Sequence, residues 1–94
     1  MAADANRIKL LKELLAERIL VLDGAFGTFI LGHHLSAADY GGASLEGCNE
    51  NVVRTRPDLI REMHAGFLEA GADLIETASF GSTRVVLAEY GLEA

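Results

Sequence analysis

The stretch Arg18-Ile19-Leu20-Val21-Leu22-Asp23-Gly24-Ala25-Phe26-Gly27-Thr28 decides how this chain folds. Ile19 to Leu22 is apolar at every position and stops abruptly at Asp23-Gly24. A run without polar alternation suits a strand covered on both faces, as in parallel sheets. Four residues do not by themselves separate strand from helix, but the β-branched content and the glycine stop favour strand. Asp73-Leu74-Ile75-Glu76-Thr77 is also short and apolar at its centre, and it reads as a second strand.

Helical patterns surround these two runs. Ile8, Leu11, Leu14 and Leu15 recur at helical spacing between Arg7 and Glu17, with Lys9, Lys12, Glu13 and Glu17 opposite. Lys9 and Glu13 stand four apart and can pair, for a few tenths of a kcal/mol. Thr55-Arg56-Pro57-Asp58 has the pattern of a helix start: Thr55 as cap, Pro57 in the first turn, Asp58 three after the cap. Leu59, Ile60, Met63, Phe67 and Leu68 follow as one apolar stripe, and Gly71 is the stop. Ser82 or Thr83 opens a third helix carrying Val85, Val86, Leu87 and Tyr90, with Gly91 as its end. Residues 31–54, punctuated by Gly32, Gly41, Gly42 and Gly47, read as a long loop with little regular structure.

The order is helix, strand, long loop, helix, strand, helix. Such alternation implies an α/β fold with parallel pairing through right-handed crossovers. Two parallel strands leave edges unpaired and faces uncovered. The 94 residues also end where a third strand is expected, so they read as a truncated β/α domain.

Composition narrows the function classes. Half the residues are hydrophobic and only one is proline, which excludes a disordered tail. The net charge of −6 is spread along the chain and argues against nucleic acid and against an anionic membrane surface. No apolar stretch approaches the roughly 20 residues of a membrane span, and no secretory signal is evident. The single cysteine, Cys48, forms no internal disulfide and suits a reducing compartment, so a cytoplasmic location is expected.

In parallel β/α folds, ligand-binding groups gather at the carboxyl ends of strands. Asp23-Gly24-Ala25-Phe26-Gly27-Thr28 takes that place after the first strand. Its glycines let the backbone approach a ligand, free N–H groups there suit a carboxylate, and Asp23 suits an ammonium. Spacing alone favours a plainer reading, a tight turn in which Asp23 bonds its own backbone. The pattern fails as a dinucleotide fingerprint and as a P-loop, because the required glycine and Lys-Ser/Thr are missing. After the second strand, Glu76 is a carboxylate that must be solvated or partnered, while Ser82 and Thr83 suit a helix cap. His33-His34 reads as a solvated loop pair, His64 as a packing or capping residue, and Cys48 as an ordinary free thiol.

Taken together, these segments resemble the homocysteine-binding domain of the cobalamin-dependent methionine synthase family. The likeness runs from about Leu14 to the last residue. It includes the Arg18–Thr28 stretch, Gly47-Cys48-Asn49-Glu50, Thr55-Arg56-Pro57-Asp58-Leu59-Ile60 and His64. It continues through Phe67-Leu68-Glu69-Ala70-Gly71-Ala72-Asp73-Leu74-Ile75-Glu76-Thr77, Phe80-Gly81-Ser82-Thr83 and Ala88-Glu89-Tyr90-Gly91-Leu92-Glu93. The resemblance implies that residues 1–94 are the N-terminal portion of a TIM (β/α)8 barrel: an N-terminal helix and the first two β/α units. A whole barrel takes about 250 residues, so about a quarter of the strands would be here.

For the full-length enzyme, the resemblance implies a methyltransferase passing a methyl group from methylcobalamin, supplied by 5-methyltetrahydrofolate, to zinc-bound homocysteine. It implies that Asp23 and the backbone of Gly24, Ala25 and Phe26 hold the amino-acid end of homocysteine, with Glu76 and Thr77 on the same face. The partners are then homocysteine, the remainder of the barrel, and the cobalamin and folate modules. The family's zinc-binding cysteines come from later strands and Cys48 matches none of them, so no catalytic or metal-ligating residue is assigned. No bound cofactor and no activity are expected of the isolated chain. The family shows Asn and Thr where this chain has Ala78 and Ser79. The alternatives are a cobalamin-independent homocysteine methyltransferase using betaine or S-methylmethionine, and a non-catalytic fragment that needs the rest of its barrel.

Overall fold

The computed structural model describes residues 3–94. Helix α1 spans Ala5–Glu17, and Asp4 caps it by accepting from the Asn6 and Arg7 N–H groups. Lys9 and Glu13 approach to 3.8 Å on its exposed side. The chain then runs extended through residues 19–22 and turns at Gly24-Ala25 into α2, Phe26–Gly32.

The second extended segment lies parallel to the first, but the contact is an isolated bridge between Leu22 and Leu74. Asp73 N–H and Leu74 N–H both reach the Val21 carbonyl, at 2.8 and 3.2 Å, and Asp23 N–H reaches the Leu74 carbonyl at 3.1 Å. The two expected strands are thus corrected to a short parallel pairing, and no regular strand forms among the described residues. Nor are these residues covered on both faces. Ile19 is 91% exposed, and Val21 and Leu22 are about half exposed. With no further extended segment beside them, two runs cannot build the ladder or the two covered faces that a parallel sheet needs.

Carboxylates close the pairing at both ends. Asp73 accepts the Val21 N–H at 2.9 Å and takes the Arg18 guanidinium in a two-pronged contact at 2.7 and 3.0 Å. The Arg18 hydrogen bonds, then the Val21 N–H, hold the Asp73 carboxyl down to about 2. At the other end, Asp23 accepts the Glu76 N–H at 3.0 Å.

The core sits beside this pairing. Ile30 of α2, Tyr40, Val52 and Ile60 form it, with Phe26, Phe29, Leu35, Leu45 and Ala78 packed around them. Ile30 and Val52 are fully buried, each contributing about 1.5–3 kcal/mol relative to exposure.

Much of this core comes from residues 31–54, so the expectation of a long irregular loop is wrong. The segment holds α3 (Ala37–Tyr40), 3-10 turns at Ala43–Leu45 and Asn49–Asn51, and α4 (Val52–Thr55). Ser36 and Asp39 cap α3 reciprocally. Asp39 is held below the usual carboxylate range, chiefly by the Ser36 N–H and then by the Ser36 hydroxyl and Arg56. Buried Asn51 donates to the Tyr40 carbonyl at 2.7 Å, tying the turns together.

Helix α5 spans Pro57–Glu69 and buries Leu59, Ile60 and Met63, as the apolar stripe implies, but leaves Leu68 about half exposed. Thr55 does not cap it. Thr55 is the last residue of α4 and its hydroxyl donates to the Asn51 carbonyl at 3.3 Å. Arg56 stands between the helices at φ −134 and ψ 63, outside the helical region that a following proline disfavours, and holds Asp58 at 2.9 and 3.1 Å. Gly71 follows α5 at φ +112, a backbone that favours glycine. Thr83 caps α6 (Arg84–Leu87), accepting from the Val86 N–H, and a 3-10 turn at Ala88–Tyr90 ends at Gly91. None of the described helices is long and apolar enough to cross a membrane.

Candidate functional site

The ends of the two extended segments open onto a cleft of about 310 Å³. Asp23, Gly24, Ala25, Phe26 and Gly27 form one wall, Glu76, Thr77, Ala78 and Phe80 another, and Asn49 and Glu50 a third. All six residues assigned to substrate binding from the sequence therefore meet around one space.

Local chemistry explains each wall. Ala25 takes φ +50, a left-handed conformation that is uncommon for a residue with a Cβ, and it leads directly into α2. No side chain caps α2. Its opening N–H groups have no partner within the helix, as at any helix start. Asp23 does not bond its own turn, as spacing alone favoured. One oxygen accepts the Glu76 N–H across the pairing, and the other lies 3.9 Å from Nδ1 of His64. Only 5% of its side chain is exposed. One carboxylate thus fixes the relative height of the two segments and borders the cleft.

Glu76 is exposed, so its charge is solvated. The Thr77 hydroxyl is 2.6 Å from that of Ser79, which satisfies both locally. Ala78 lines the cleft and packs against the core, so this position offers a methyl to the cleft.

Asn49 and Glu50 gained no role from the sequence beyond their place in the resemblance. Glu50 accepts the Gly81 N–H at 3.0 Å, which draws the 3-10 turn at Asn49–Asn51 against the segment after Glu76. A Cβ at Gly81 would fall 2.6 Å from the same carboxylate oxygen, so any side chain there would push the Glu50 carboxylate aside. His64, which its helix position marks as a packing or capping residue, also lies within ion-pair range of Asp23, 41 positions earlier (64 − 23), a contact with no local signal.

The remaining candidates stand apart. His33 ends α2, with Nδ1 3.0 Å from the Phe29 carbonyl and Nε2 3.8 Å from Glu62. Cys48 is a free thiol, 1% exposed, packed rather than presented in a loop. Among the described residues, no group of three or more His, Cys, Asp or Glu side chains is placed to hold a metal ion. These residues do not fit a zinc centre, which needs three protein ligands and an open position.

Residues 20–94 match the profile of the homocysteine S-methyltransferase family. Over 82 residues, 87% of this chain, the sequence is 45% identical to a methionine synthase of Mycobacterium leprae. The matched part is 7% of that relative's length.

Proposed function

The chain belongs to the homocysteine S-methyltransferase family, and from that premise we propose that it forms the opening part of a TIM-barrel methyltransferase and grips the amino-acid end of homocysteine. Asp23 takes the ammonium, and the backbone of Gly24, Ala25 and Phe26 takes the carboxylate. Glu76 and Thr77 complete the wall. The observation that carries this reading is the cleft, where Asp23 and Glu76 meet the Gly24–Phe26 turn around a space of about 310 Å³. Two carboxylates near uncapped N–H groups match the two charges of an α-amino acid.

The reaction proposed for the whole enzyme is methyl transfer to homocysteine, giving methionine, with methylcobalamin as donor and 5-methyltetrahydrofolate as its source. The likeness to a methionine synthase supports this over a betaine or S-methylmethionine enzyme. That relative is more than ten times as long as the matched stretch, which leaves room for separate cobalamin and folate modules. Zinc and methylcobalamin would be held outside these residues, and the chain's own part is to bind and orient the substrate. A cytoplasmic setting suits the unpaired thiol of Cys48.

The test is a comparison of ligands in the intact enzyme. Homocysteine should bind better than 4-mercaptobutyrate, which lacks the ammonium, and 3-mercaptopropylamine, which lacks the carboxylate. Each loss should be about ten- to a hundredfold, the range of a charge-assisted hydrogen bond. Equal affinity for all three would remove the amino-acid site from this cleft.

A further inference from the structure

His64 lies on the inner side of α5, four residues after Ile60 and one after Met63, both buried. Its Nδ1 is buried and has no hydrogen-bond partner among the described residues. Buried polar atoms in folded proteins nearly always have one, so this one calls for an explanation. Asp23 Oδ2 stands 3.9 Å away, within ion-pair range but about an ångström beyond a hydrogen bond. The other carboxylate oxygen already accepts the Glu76 N–H. His64 is absent from the cleft wall, whereas Asp23 is part of it.

We propose that His64 is the positioning residue for Asp23: its Nδ1–H donates to Asp23 Oδ2 and fixes the plane of the carboxylate that receives the substrate's ammonium. The inference rests on the reading of the cleft as an amino-acid site. With Oδ1 held by Glu76 alone, the carboxylate can swing about that bond. A second donor from behind removes this freedom and leaves the remaining lone pairs directed to the cleft. An imidazole suits the task because its ring N–H is held in a fixed direction by the packing of α5. A shift of about an ångström by the imidazole toward Asp23 closes the gap. His64 touches no substrate and acts only through Asp23.

The experiment is homocysteine kinetics in the intact enzyme with three substitutions. His64→Phe keeps the packing and removes the donor; KM for homocysteine should rise about tenfold with kcat changed less than about twofold. His64→Asn places an amide nitrogen near the Nδ1 position and should bring KM back to within about threefold of the parent. His64→Gln reaches toward the Nε2 position and should not. Parent-like KM in His64→Phe, or equal KM in the Asn and Gln variants, would reduce His64 to a packing residue. Should His64→Phe not fold, the comparison of Asn with Gln still decides. If the parent enzyme itself shows no saturation with homocysteine, the functional reading falls first and this inference falls with it.

Discussion

Asp23 accepts the backbone N–H of Glu76 at 3.0 Å, so the carboxylate proposed to face the substrate also ties the two extended segments together. The two roles separate by substitution. In Asp23→Asn the side-chain oxygen still accepts from Glu76, while the charge and the acceptor facing His64 are lost. Homocysteine affinity in the intact enzyme should fall about ten- to a hundredfold, with stability and zinc content unchanged. In Asp23→Ala the tie goes as well, and stability should fall by a further 0.5–1.5 kcal/mol or about that. Isothermal titration with homocysteine and a urea melt of each variant give the two readouts. Unchanged affinity in the folded Asn variant would leave Asp23 as a structural tie alone.

The opposite end of the pairing predicts an acid-sensitive step. Arg18 and the Val21 N–H stabilise the charged form of Asp73 and lower it to about 2 from an ordinary 3.8. A carboxyl whose folded pKa is depressed contributes stability above its unfolded pKa, and that contribution is lost as pH falls through the folded value. The window is therefore between about pH 4 and pH 2. Asp73→Asn should flatten the loss of stability in that window and lower stability at neutral pH. Thermal melts across the range, parent against variant, are the measurement. Parallel pH profiles would show that Asp73 carries no such linkage.

Periodicity made α1 and α5 legible, and Gly71 and Gly91 mark turns after helical segments because both take positive φ. The parallel relation of the two apolar runs was also legible, since alternation with helices leaves few other topologies. Residues 31–54 were not. Their elements are single turns of four residues or fewer apart from the end of α2, too short for a hydrophobic period to emerge. One signal was present: Ser36 and Asp39 stand three apart, the spacing of the capping box they form. Thr55 and Asp58 have that same spacing and form none, because Thr55 already ends α4. Asp23 and Glu76 followed from their place after apolar runs. The Glu50–Gly81 and His64–Asp23 contacts join residues far apart in sequence, and nothing local announces them.

Gly41 gives a test of how tightly the short turns are packed. It takes φ +111 at the end of α3, and an added Cβ would lie 2.8 Å from Nδ2 of Asn51 and 2.9 Å from Cδ1 of Leu45. Asn51 is buried and holds the Tyr40 carbonyl, so it has little room to move. Gly41→Ala should therefore cost more than 1 kcal/mol or so, through backbone strain and displacement of Asn51. Gly42→Ala is the control, since it also has positive φ but meets nothing within 4 Å. Equal losses in the two would mean that backbone strain alone acts and that the Asn51 contact is loose.

The last prediction concerns the 94-residue polypeptide expressed alone. Ile19, Phe80 and Val85 are 91, 94 and 83% exposed, and Leu31 is exposed as well. Ile19 adjoins a parallel pairing whose hydrogen bonds, among the described residues, involve Val21, Asp23, Asp73, Leu74 and Glu76, and the open edges beside it are templates for association. The chain should therefore bind a hydrophobic dye and elute from gel filtration larger than its monomer. Addition of the rest of the proposed barrel in trans should reduce both signals. The same polypeptide should retain no stoichiometric zinc after dialysis against a mild chelator, because its described His, Cys, Asp and Glu side chains form no group of three. It should not methylate homocysteine supplied with methylcobalamin, since its described residues form no group of three side chains to hold a metal that would activate the thiol. One tightly held zinc per chain, or turnover above the uncatalysed rate, would place the metal site within these residues after all. A monomer that binds no dye would instead show that the exposed apolar side chains find cover inside the chain itself.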